Sequence, residues 1–139
     1  MEDTTEVTVE LVRAAYEALT AALTSGDIAE MDEHWAEDLR WLAPGHNQLS
    51  GWKENRKEFF DFNRAAGELS DYSFYMDRYS IMIGDDYSTD LTLNTGTRPD
   101  GRRMEIDVAH TLRWRDGKAV EGKGAIFGDG TAQYDEFWA

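Results

Sequence analysis

No cysteine occurs anywhere in these 139 residues. That excludes a disulfide framework, a thiol nucleophile and any cysteine-ligated metal. Basic side chains are also scarce. Lysine and arginine total 14 against 28 aspartates and glutamates, a formal charge of −14. Nucleic acid and anionic membrane both need positive charge on the face that meets them, so neither is expected as a partner. No apolar run approaches the length of a bilayer, and the opening MEDTTEVTVE is acidic and lacks a signal-peptide core. A soluble, cytoplasmic protein is the expectation. The three histidines, 34, 46 and 110, have no matched spacing, so no metal site is expected. What the chain does contain is apolar and aromatic: 41% hydrophobic and 12% aromatic residues suit a folded domain rather than a disordered chain. At this length one domain over 1–139 is expected, with 1–7 and 129–139 as tails.

Periodicity divides the chain into a helical part and a β part. Val9, Val12, Tyr16, Leu19 and Leu23 step by three and four, which predicts a helix over Thr8–Ser25 with Gly26 as its C-terminal cap. Asp27 with Glu30 reads as a capping box for a second helix to about Asp38, its inner stripe Ile28, Met31, His34 and Trp35. Leu39–Ala43 reads as a short strand stopped by Pro44-Gly45. Ser50 is the expected N-cap of a third helix over Trp52–Ala66, whose inner face carries Trp52, Phe59, Phe60 and Asn63. After Gly67 four strands are predicted, Asp71–Ile83, Tyr87–Thr97, Arg103–Arg115 and Lys118–Phe127, joined by GDD, RPDG and RDG turns as an antiparallel meander. In Tyr87–Thr97, Leu91 and Leu93 are assigned to the core face, and Asp90, Thr92 and Asn94 to the other. The tail GDGTAQYDEFWA reads as a loop whose Tyr134, Phe137 and Trp138 fold back onto the body or a partner. Helices first and a sheet second make an α+β fold with the helices on one face of the sheet.

One strand focuses the functional reading. In MEIDVAHTLRWRDGK, Ile106, Val108, His110, Leu112 and Trp114 share one face, and charged or small residues fill the other. Asp116-Gly117 is a two-residue turn into the next strand. His110 is the single polar member of the apolar face. A buried polar group left unpaired costs roughly 1–3 kcal/mol, so this ring is either a core histidine hydrogen-bonded to a carbonyl or a tyrosine, or a pocket residue doing acid–base work. A histidine suits proton transfer near neutral pH. Tyr16, on the inner stripe of the first helix, either packs there or assists it. His34 is expected beneath the sheet or at its edge, and His46 in a loop near the pocket mouth.

The order of helix, SGD-capped helix, WAED with a short strand, an LSGWxxxxxFF helix, and a meander ending HTLRWRDGKAVEGKGAIFGD resembles the nuclear-transport-factor-2-like superfamily. Over residues 8–128 it is most similar to the SnoaL-like and ketosteroid-isomerase-like group. The resemblance implies a cystatin-like cone, three N-terminal helices inside a curved antiparallel sheet with a pocket between them. Members include isomerases, polyketide cyclases, dehydratases, epoxide hydrolases and non-catalytic binders or scaffolds. His110 matches the position of the isomerases' acidic oxyanion-hole residue. Ala43 lies near that of their general-base aspartate, and Leu19 aligns with their tyrosine donor, with Tyr16 one turn earlier. The arginine–aspartate pairs of the epoxide hydrolases are not expected on pocket-facing positions here. Members usually dimerise through the outer sheet face, so a homodimer is expected, using Thr92, Asn94, Thr111 and Arg113.

These readings combine into one expectation. The protein is a small-molecule enzyme without metal or organic cofactor, an isomerase, cyclase or lyase acting on an apolar oxygenated molecule, polyketide- or steroid-like. His110 and Tyr16 are the candidate catalytic residues. Val12, Trp41, Phe59, Leu91, Leu93, Val108, Leu112 and Phe127 are the candidate ligand-binding residues. The alternative is a non-catalytic ligand-binding or scaffold protein of the same fold.

Overall fold

The computed structural model describes residues 6–25 and 29–139. The elements run α1 Val9–Ser25, α2 Ala29–His34, β1 Trp35–Ala43, β2 Gly51–Lys53, α3 Arg56–Leu69, β3 Tyr75–Ile83, β4 Tyr87–Thr97, β5 Arg103–Arg115, β6 Lys118–Ile126 and α4 Gly130–Trp138. The six strands form one curved, unclosed sheet in the order β2-β1-β6-β5-β4-β3. β3 to β6 are the expected antiparallel meander, while β1 joins β6 in parallel, so the sheet is mixed. The expected Gly26 cap and the Asp27–Glu30 capping box lie outside the described residues.

The longest hairpin shows how sequence becomes fold. β5 alternates buried and exposed along its whole length, with Met104, Ile106, Val108, His110, Leu112 and Trp114 inward. Asp116 and Gly117 both take positive φ, 52° and 77°, as a type I′ turn requires. That turn sets Arg115 opposite Lys118. Above this face, α1 packs Val12, Ala15, Tyr16 and Leu19 against Leu112 and Trp114 in one core cluster. The indole of Trp35 donates to the Ala15 carbonyl at 2.9 Å and ties α1 to β1.

Three expectations about elements are corrected. The second helix stops at His34, and β1 begins at Trp35, because Trp35 already pairs with Ala119 of β6. The stretch read as the start of the third helix is the edge strand β2, paired to β1 through Trp41–Lys53 and Ala43–Gly51. Ser50 does not cap the helix: its hydroxyl serves the preceding turn, donating to Pro44 O and accepting from Asn47 N. Asn55 caps it instead, accepting from Glu58 N at 2.9 Å. Trp52 is exposed beneath the Arg40 guanidinium rather than inward. The C-terminal segment is a helix, not a loop. α4 buries Tyr134, Phe137 and Trp138 against Met104, Ile106 and Val108 of the same chain and closes that end of the sheet. Its last turn is held by Arg98 and Arg102, whose guanidinium groups donate to the carbonyls of Phe137, Glu136 and Ala139.

Candidate functional site

Between the two clusters, in the middle of β5, sits His110. Its direct neighbour across the β4–β5 ladder is Asp90. Residues opposite each other in an antiparallel pair share a face. Asp90 therefore points inward, and its carboxylate is fully buried. It takes three donors. His110 Nδ1 lies 3.0 Å from Oδ2, Arg78 Nε donates to Oδ2 at 2.8 Å, and the Tyr16 hydroxyl donates to Oδ1 at 2.9 Å. The Arg78 guanidinium also lies 3.5 Å over the Tyr16 ring. One nitrogen of Arg78, Nη2, is buried with no hydrogen-bond partner and rests in this stacked arrangement.

The electrostatics follow from these contacts. Burial alone would push the Asp90 carboxyl up. The hydrogen bonds and charges of His110 and Arg78 outweigh it and hold the group below its ordinary value. Tyr16 moves the other way: burial, then the charge of Asp90, raise its hydroxyl well above the usual phenol range, so it remains a donor. An ionised Asp90 accepts from Nδ1–H, so when the His110 ring carries a single proton that proton sits on Nδ1. Nε2 is then the nitrogen left with a lone pair, and it has no hydrogen-bond partner among the described residues. Trp41 sets the other side of the imidazole, ring centroids 5.7 Å apart and tilted by 35°. Trp41 can lie there because Gly122 of β6 has no side chain. A Cβ at Gly122 would collide with the indole and come within 2.9 Å of Leu112.

His110 opens on a cavity of about 40 Å³, room for one or two water molecules. Its wall is mostly apolar, from Leu19, Trp41, Phe59, Phe62, Met76 and Val108, with Asn63 and Asn94 among the polar exceptions. Tyr16, Leu19, Asn63, Phe74 and Met76 also line a cleft of about 870 Å³ between α1, α3 and β3. The small cavity and the larger cleft thus share a wall. The cleft is also lined by Leu23, Phe60, Tyr72 and Tyr75.

Of the residues expected at the pocket, the structure brings Tyr16, Trp41, Phe59, Val108 and His110 to the cavity wall. Val12 and Leu112 are buried in the core cluster beside it and do not line it. Leu91 and Leu93 are on the opposite face of β4, half-buried, and Phe127 is exposed past the end of β6. The inward face of β4 is the polar set Ser88, Asp90, Thr92 and Asn94, because each finds a partner there. Ser88 accepts from the Trp114 indole, and Thr92 donates to Asn94. Thr92 and Asn94 are consequently inside the sheet and absent from its outer face. Asp90 and Arg78 are the residues that sequence reasoning missed. They form an arginine–aspartate pair on adjacent strands that does face inward, against expectation. His34 is half-buried with Nδ1 unpaired, and His46 is exposed. Among the described residues, no three metal-ligating side chains converge.

Comparison with known proteins places this geometry. The family model described as a SnoaL-like domain matches residues 12–122. Bal32a, from a soil-derived mobile gene cassette, superposes with a TM-score of 0.80 at 22% identity, covering 94% of this chain and 98% of that one. A Xanthomonas campestris protein of unknown function with a cystatin-like fold gives 0.77 at 23% identity, over 93% and 98%. TerC, co-crystallised with polyporic acid, gives 0.73 at 19%, over 94% and 98%. At these identities the likeness speaks for the fold alone. No curated protein sequence matches the chain.

Proposed function

We propose that this chain, which belongs to the SnoaL-like domain family of the nuclear-transport-factor-2-like superfamily, is an acid–base enzyme acting on an apolar, oxygenated small molecule. The carrying observation is the hydrogen-bonded set Tyr16, Arg78, Asp90 and His110, which leaves one imidazole nitrogen unpaired at an apolar cavity. In this reading Nε2 of neutral His110 takes a proton from a C–H or O–H of the substrate. The imidazolium formed is stabilised by Asp90, and Nε2–H then returns the proton to a different carbon or oxygen. That sequence suits an isomerisation, a cyclisation or a dehydration, and its proton balance needs no cofactor. Tyr16 acts through Asp90, since its hydroxyl is spent on that carboxylate.

The inner cavity is too small for a ring system as it stands. The body of the substrate therefore rests in the cleft of α1, α3 and β3, and its reacting end reaches His110 past Phe74 and Met76. The proposed assembly is a homodimer through the outer sheet face. Leu91, Ala109 and Ala125 form one row across three strands there, and Tyr79 stands exposed nearby.

The test is His110→Phe, which keeps ring volume and removes both nitrogens. Turnover is screened on apolar ketones, lactones and phenols. General acid–base groups contribute about 10²–10⁴-fold, and a loss of that size is expected. A variant turning over within about tenfold of the parent refutes the catalytic reading and leaves ligand binding.

A further inference from the structure

We infer that Asn94 is a second polar anchor in the cavity, donating its side-chain amide to an acceptor oxygen on the end of the ligand that enters beside His110. The inference rests on the reading that His110 meets the ligand. Asn94 is buried, 3% exposed, and lines the cavity. Its Oδ1 is occupied by the Thr92 hydroxyl at 2.6 Å. That distance is short even for O–H···O and well under the usual N–H···O length, which assigns Oδ1 to Thr92 and turns Nδ2 the other way. Nδ2 has no protein partner among the described residues. A buried amide with unspent donors, held in orientation by a buried hydroxyl, is a built hydrogen-bonding position rather than packing.

Position shows which part of the ligand the amide meets. Asp90, opposite His110, and Asn94 are four residues apart on the same face of β4, about 13 Å between Cα atoms at the usual strand rise, and the side chains of His110 and Asn94 both reach the cavity. Val108 lies between them on β5, and Met76 stands opposite Asn94 on β3. His110 and Asn94 line the same small cavity, so it is the oxygenated end of the ligand that meets them, while the apolar body stays in the cleft. The oxygen at Asn94 must accept, as a ketone, ester or ether oxygen does.

The test uses two probes that differ at one end. Para-hydroxy-para′-acetylbiphenyl carries the acceptor, and its para′-isopropyl analogue has nearly the same shape without it. Binding is followed by titration calorimetry. In the parent protein the ketone should bind about tenfold more tightly, since the alternative strands a buried donor. In Asn94→Leu and in the isosteric Asn94→Asp the preference should fall to about one or invert, so the result does not depend on either variant alone folding. In the amide region of an NMR spectrum, the Asn94 side-chain signals should move with the ketone and not with the hydrocarbon. In His110→Phe both probes should weaken together with the ratio preserved. Equal affinities in the parent, failure of the ketone to bind, or a preference that survives both Asn94 variants overturns the anchor. Turnover of His110→Phe tests the acid–base reading separately.

Discussion

Replacing Asp90 by asparagine isolates the charge at the centre of the site. The side chain keeps its shape. Arg78 Nε and His110 Nδ1 both address Oδ2, so an amide oxygen there still accepts from both, while the amide nitrogen meets a Tyr16 hydroxyl that must turn to accept. What is lost is the negative charge. Arg78, with its side chain only 17% exposed, is left without a counter-ion. Breaking a buried pair by removing one partner costs about 3–5 kcal/mol. The partial exposure of Arg78 and its stacking on Tyr16 lower that to about 2–4 kcal/mol here. With a urea slope of about 2 kcal/mol/M, the midpoint should fall by about 1–2 M at pH 7. The assay is equilibrium unfolding followed by tryptophan fluorescence, with Trp35 and Trp41 buried near the site. The pH dependence provides the check. A carboxyl held below its ordinary value contributes stability above the unfolded pKa of about 3.9 and loses it as pH falls through the folded value. Asparagine does not titrate. The gap between parent and variant should narrow below about pH 4. A gap under about 0.5 kcal/mol at pH 7, or one unchanged in acid, refutes the assignment of an ionised Asp90.

Tyr16→Phe removes one donor to Asp90 but keeps the ring under Arg78, and should cost about 1.5–3 kcal/mol by the same unfolding assay. Its turnover should fall less than that of His110→Phe, because two donors to Asp90 remain. Gly122→Ala should destabilise by about 1–3 kcal/mol or more, because Trp41 is held between Phe59 and His110 and cannot retreat; the displaced indole should show in near-ultraviolet circular dichroism. Leu91→Glu with Leu93→Glu should leave the fold intact and turn the proposed dimer into a monomer in light scattering after gel filtration. A parent that is itself monomeric would refute the outer-face interface.

The parts of the fold legible in the sequence are those whose local and tertiary demands agree. β4 and β5 occupy the segments read from alternation alone, and the Asp116-Gly117 turn has the backbone its residues favour. The misread parts are those where a distant partner decides. Nothing in GWK announces a strand until β1 lies beside it, since three residues cannot hold a strand alone. GTAQYDEFW has little intrinsic claim to be a helix. It becomes one because that geometry brings Tyr134, Phe137 and Trp138 to one face, where Met104 and Ile106 receive them. Phe137 fits closely only because Gly96 of β4 leaves space for its ring.

The site itself was half legible, and the missing half has an identifiable cause. Alternation in YSTDLTLNTGT separates the leucines from Asp90, Thr92 and Asn94 but does not say which set faces inward. Hydrophobicity favours the leucines; the structure buries the polar set. Register settles it, and register was within reach. A loop over 98–102 sets Thr97 opposite Arg103, and stepping seven residues back along β4 and forward along β5 arrives at Asp90 opposite His110. Opposed residues share a face, so once His110 is taken as inward Asp90 must be inward too. A buried carboxylate then requires cations or donors, and Arg78 on β3 and Tyr16 on α1 supply them. The polar face of β4 is thus a consequence of placing one histidine, and any account of His110 has to include the three residues that hold it.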